Sequence, residues 1–269
     1  MKTIICNLPA WLKVLLYFVV LALARFIAGV IPQLNDFLFF MLIALLLSWV
    51  FLWAEGKTLK ALRLIPVRCR HWRQFLYGIT GGLFMLIVTA AVTIYLTGDQ
   101  WQFNRLPDPV YLLVTFLAVL WSAFVQEFVF RGYPFQTLVD HYGAWKAQLI
   151  IAIPFGLMHV DGTMDLQTFL ITMMTTGLGS VLFGMAYLST RHLALPMGLH
   201  FGWNYAQALI PRTAGATGTT VISVTGNPAH YSLWNVIAPF VAVVLCAIIL
   251  IAFTGRGTKN ERPPALTAS

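Results

Sequence analysis

Apolar runs alternate with short polar connectors along nearly the whole chain. Several of them reach the roughly 20 residues needed to cross a hydrocarbon core. They fall at residues 11–31, 37–54, 76–96, 110–130, 145–159, 167–188, 193–210 and 233–253, which predicts about eight transmembrane helices. The first run follows a basic start at Lys2, and Ala22-Leu23-Ala24 faintly resembles a cleavage site. Its length, and the second span directly behind it, favour a retained helix over a signal peptide. The fold class expected is all-α: a polytopic membrane protein, one transmembrane domain over residues 1–253 with a cytoplasmic tail at 254–269.

Polar residues inside such spans carry the chemical information. Of the nine acidic residues, Asp36, Glu55, Asp99, Asp108, Asp140, Asp161, Asp165 and Glu261 lie in loops, tails or span edges, which leaves Glu127 at membrane depth. An ionisable group there costs several kcal/mol unless paired or wet, and is a functional candidate by default. Arg131 lies four residues on, so the two side chains share one helical face with the acid N-terminal to the base. A purely structural charge pair explains this spacing equally well. Gln126 points about 100° away around the helix.

His200 and Asn204 also stand four residues apart, on a helix whose Gly198 and Gly202 permit close packing. His159 closes the fifth span. The helical rise puts His159 at about 20 Å depth, His200 and Asn204 at about 13 and 20 Å, and Glu127 at roughly 15–20 Å if the fourth helix runs on past Pro134. If that helix ends at Arg131, Glu127 is expected near the surface, away from His159. The expected product is a polar intramembrane cavity.

Composition agrees with the hydrophobic pattern. The chain is 59% hydrophobic and 10% charged, against about 25% charged in soluble domains. The net charge of +8 is read as a topology signal and not as a nucleic-acid site, because the basic residues sit beside spans. Lys57, Lys60, Arg63, Arg68, Arg70 and Arg73 place the loop after the second span in the cytoplasm, and with it both termini. Arg256, Lys259 and Arg262 in the tail agree. Cys6, Cys69 and Cys246 have no metal-site or disulfide spacing.

A carboxylate, an amide, two imidazoles and an asparagine suit hydrolysis of a peptide bond, with one group activating water and others donating to the oxyanion. His159, His200 and Glu127 could alternatively hold Zn²⁺. At these residues the chain resembles the CPBP family, also called Abi or type II CAAX-endopeptidase-like proteins, whose motifs are Glu-Glu-x-x-x-Arg, Phe-x-x-x-His and His-x-x-x-Asn/Asp. Here they read Gln126-Glu127-Phe128-Val129-Phe130-Arg131, Phe155-Gly156-Leu157-Met158-His159 and His200-Phe201-Gly202-Trp203-Asn204, within a core of about 110–207.

The resemblance implies an intramembrane endopeptidase of a bacterial inner membrane. Its substrate would be a membrane-associated, prenylated or precursor peptide. His159 would partner the base, His200 and Asn204 would stabilise the oxyanion or help hold a metal, and Arg131 would lock Glu127. The departure is Gln126, where the family carries the presumed catalytic glutamate. Three readings stay open: Glu127 serves as the base, the protein is a non-catalytic scaffold or immunity protein, or the glutamine traps an inactive form. A transporter is the reading from another class, and no paired Gly/Pro-broken spans in two halves mark it.

Overall fold

The computed structural model describes residues 2–31, 37–104, 108–215 and 220–254. Asp36, Glu261 and the basic tail residues Arg256, Lys259 and Arg262 lie outside them. A short α1 (Lys2–Asn7) precedes α2 (Ala10–Val30) and α3 (Phe37–Ala54). Then come α4 (Cys69–Thr97), α5 (Pro109–Arg131), α6 (Tyr133–Tyr142), α7 (Ala144–Leu157), α8 (Leu166–Thr190) and α9 (Ala194–Leu209). The chain closes with α10 (Leu233–Val236) and α11 (Ala238–Thr254). It is a polytopic all-α membrane protein.

Among the described residues, six helical stretches are long and apolar enough to cross a membrane, with α5 and α6 forming one stretch and α10 and α11 another. The eight predicted spans are matched by six of this kind and two shorter helices. α7 has 14 residues and α9 has 16, so they rise only about 21 and 24 Å. α7 leads directly into His159, and α9 carries both His200 and Asn204.

Close packing of α4 on α9 is written in glycine. A Cβ at Gly78 or Gly82 would land on the backbone of Leu195 or Leu199, and one at Gly198 or Gly202 on the backbone of Phe75 or Ile79. Small residues let helix backbones approach where lipid supplies no hydrophobic drive between them. The result holds His200 and Asn204 on a helix that cannot move away from its neighbour.

The fourth predicted span does end at Arg131, and Glu127 is buried inside the protein one turn before that end. The helix breaks at Gly132, where the backbone conformation leaves no room for a Cβ beside the Phe128 carbonyl and so requires glycine, and α6 resumes at once with Pro134 in its first turn. Proline is tolerated there because its missing N–H has no intrahelical partner in any case. Tyr133, Phe135 and Leu138 of α6 are buried, which keeps the end of α5 inside the protein.

Two connectors that the hydrophobic pattern leaves as loops pair with each other. β1 (Gln100–Phe103) and β2 (Ile222–Thr225) form an antiparallel ladder, with Trp101 opposite Val224. The three cysteines are free, and the buried Lys13 of α2 pairs with Glu55 at 3.0 Å, which also receives Lys57 and the Tyr133 hydroxyl. Burial pushes the Glu55 carboxyl up, and the hydrogen bonds from Lys13, Lys57 and Tyr133 outweigh it, so its pKa lies below the usual value.

Candidate active site

α5 delivers Glu127 and Arg131 into a region with almost no solvent access, 1% for the glutamate and 0% for the arginine. Glu127 Oε2 lies 3.6 Å from Arg131 Nε. The guanidinium donates through Nη2 to the carbonyl and the hydroxyl of Ser180 on α8, at 2.7 and 2.8 Å. It also faces the rings of Phe155 and Phe183, 4.7 and 5.5 Å from their centroids. Buried cations of this kind persist only when paired and stacked.

His200 joins this cluster from α9. Its Nδ1 is 2.8 Å from Glu127 Oε1. An ionised carboxylate can only accept, so Nδ1 carries the proton and Nε2 of the neutral ring presents its lone pair. The ring stacks on Phe183 at 4.5 Å, which fixes its plane. Carboxylate, imidazole and aromatic face together determine both tautomer and orientation.

His159 is held by a different device. Its Nδ1 donates to the Phe155 carbonyl at 2.8 Å, where the α7 chain turns after Pro154. The lone pair therefore sits on Nε2 here too. The side chain itself is exposed, in contrast to His200.

His159, His200 and Asn204 line one cavity of about 250 Å³ between α4, α7, α8, α9 and α11. Thr175 and Thr176 of α8, Gln207 of α9 and Arg212 just beyond α9 add polar lining. Glu127, Gln126 and Arg131 do not line it. The expected contact of Glu127 with water is thus replaced by contact through His200, because Oε1 is taken by the imidazole and Oε2 faces Arg131. Gln126 donates to Ser122 Oγ one turn back on its own helix at 3.0 Å, and its Oε1 is buried without a partner.

A Zn²⁺ held jointly by His159, His200 and Glu127 does not fit this arrangement. Glu127 Oε1 is taken by His200 Nδ1 and Glu127 does not line the cavity that His159 and His200 share, and among the described residues no three His, Cys, Asp or Glu side chains gather as a metal-binding group. The sequence pattern finds His159, His200 and Asn204 but misses three residues. Ser180, which anchors Arg131, and Gln207 had no distinguishing signal. Arg212 had one, being the single Lys or Arg between Arg191 and Arg256.

The family model for type II CAAX prenyl endopeptidase Rce1-like proteins matches residues 108–206. That segment contains all three motifs, while α4, α11 and Arg212 complete the cavity from outside it. A comparison with curated proteins gives no match. Over residues 108–206 the chain is thus similar to the Rce1-like type II CAAX prenyl endopeptidases, which supports the CPBP/CAAX-protease resemblance read from its three motifs.

Proposed function

We propose that the chain is an intramembrane endopeptidase that hydrolyses a peptide bond of a membrane-associated peptide or protein. The observation that carries this reading is the meeting of His159, His200 and Asn204, from two elements distant in sequence, on one cavity at helical depth, with each imidazole's Nδ1–H tied back to an acceptor. His159 Nε2 takes a proton from water while the water oxygen attacks the scissile carbonyl carbon. The developing oxyanion accepts from the Asn204 amide and from an Nε2–H of His200, whose ring Glu127 orients through Nδ1. His159 then gives its proton to the departing amine as the carbon–nitrogen bond breaks. Glu127 acts as a positioning residue through His200, and Arg131 holds Glu127.

The chain would lie in a bacterial inner membrane with the basic connector at residues 57–73 and both termini in the cytoplasm. Prenylated proteins and precursor peptides are the substrate classes that its family supports. Gln126 favours a second reading, a non-catalytic scaffold or immunity protein of the same fold, because an amide cannot accept a proton at neutral pH.

The test is a peptide-release assay on quenched membrane peptides with the purified protein and with Gln126→Glu, each with and without chelator. Release by both supports His159 as sufficient base. Release only by Gln126→Glu marks the present chain as an inactive form, and release by neither favours the scaffold. Chelator sensitivity would speak against the metal-free scheme.

A further inference from the structure

Arg131 in the buried cluster and Arg212 on the cavity differ in what neutralises them. Arg131 has Glu127, Ser180 and two phenylalanine faces. Arg212 lines the cavity itself, its guanidinium carbon 5.8 Å from the Phe240 ring centroid, and no acid partner for it occurs among the described residues. No Asp or Glu among the described residues lines the cavity either. Burial pushes the Arg212 guanidinium below its ordinary pKa, yet an arginine stays charged in proteins.

A partly buried cation lining a cavity without a counter-ion is unfavourable until something anionic arrives. The loop that carries it is built to hold position. The Ala214 N–H donates to the Tyr231 hydroxyl at 2.6 Å, which donates to Asp99 at 2.7 Å, and the Val221 N–H donates to the Leu209 carbonyl at 3.0 Å. This ties the end of α9 to the β1–β2 ladder.

We propose that Arg212 is the specificity-determining residue of this cavity and takes a carboxylate of the peptide substrate. The inference rests on the proteolytic reading above for the identity of the ligand as a peptide. The planar guanidinium fork matches a carboxylate in two parallel hydrogen bonds. Nine residues of α9 separate His200 from Leu209, a rise of about 14 Å, which an extended peptide covers in about four residues. A peptide with its scissile bond at His159 and His200 therefore places its C-terminal carboxylate, or an acidic side chain a few residues beyond the bond, at Arg212.

The test uses the full chain immobilised in detergent and a randomised apolar peptide library made as free acids and as C-terminal amides, with a third set of amides carrying one Asp. Retention and cleavage are scored separately, for the protein and for R212Q and R212K, each checked for a monodisperse elution profile. The protein retains free acids about tenfold to a hundredfold better than amides. The ratio falls to about one in R212Q and recovers partly in R212K.

Preference for the Asp-bearing amides over plain amides assigns the carboxylate to a side chain, with the same dependence on Arg212. Equal retention of all three sets by the unsubstituted protein overturns the proposal without need of any variant. So does a preference that survives R212Q, or an Arg212-dependent retention of phosphatidylglycerol with none of peptide acids. Retention that depends on Arg212 without any cleavage, by the protein or by Gln126→Glu, leaves the carboxylate site standing and removes the protease reading. Cleavage with no acid preference does the reverse.

Discussion

Two polar regions lie side by side in this protein and are built on opposite principles. In the cluster of Glu127, Arg131 and Ser180 every side chain is buried and the charges are used on one another. In the adjoining cavity, His159, Asn204 and Arg212 are partly open, and their remaining hydrogen-bonding capacity faces space a ligand can fill. His200 belongs to both, with Nδ1 in the cluster and its ring edge at the cavity. The contrast separates what holds the site from what would act in it. Residues of the same chemical type, Arg131 and Arg212, differ because of which side of that boundary they occupy.

The largest effect is expected from Glu127→Ala. It leaves Arg131 as an uncompensated buried charge, a loss of about 3–5 kcal/mol. Thermal unfolding in detergent should fall sharply and peptide release should vanish with it. His159→Ala lies on the other side of the boundary. Its unfolding curve should match that of the parent while release drops by about 10²–10⁴-fold, the usual worth of a general base.

Asn204→Ala should likewise spare the fold and lower turnover by about 10²–10³-fold, as loss of one oxyanion donor does. Ser180→Ala tests the cluster more gently. It removes one of the two hydrogen bonds that Ser180 accepts from the charged Arg131, with about 1.5–3 kcal/mol at stake, so unfolding should shift and cleavage at permissive temperature should persist. Equal damage to stability from Ser180→Ala and His159→Ala would erase the distinction between the two regions.

The smallest effect lies outside both, at His192 between α8 and α9. The Ala194 N–H donates to its Nδ1 at 3.0 Å, so Nε2 holds the proton and donates to the Ile65 carbonyl at 3.2 Å. Burial, then the neighbouring His71 ring stacked at 3.8 Å, push its pKa down from 6.5 to about 4, with Arg63 acting the same way. The unfolded chain therefore binds the proton first as pH falls, and stability is lost between about pH 6.5 and 4. Melting temperature should be level above that window and decline through it, and His192→Gln should flatten the decline.

What could be read from the sequence followed from helical periodicity. The i, i+4 spacings of Glu127 with Arg131 and of His200 with Asn204 put each pair on one face before any tertiary contact is known, and the ends of the second span fall where the pattern puts them. Partners supplied from elsewhere had no such signature. Ser180 meets Arg131 across 49 residues, and Gln100 pairs with Thr225 between two connectors that carry no hydrophobic stripe. The break at Gly132 was sought at Pro134, because proline is the stronger helix breaker in general. The contact that decides it is the Phe128 carbonyl, which leaves no space for a Cβ.

The role of Glu127 shifted for the same reason. Depth alone makes a lone carboxylate a candidate base, but only its neighbours show that both oxygens are already engaged, by His200 and Arg131. The cavity and its proposed chemistry then rest on His159. The most direct measurement is mass-spectrometric detection of new N-termini in membrane peptides incubated with the full chain and with His159→Ala, at matched folding. Discrete cleavage products formed by the parent and absent with His159→Ala are the predicted result. Products formed equally by both, or by neither when Gln126→Glu is also inactive, would contradict it.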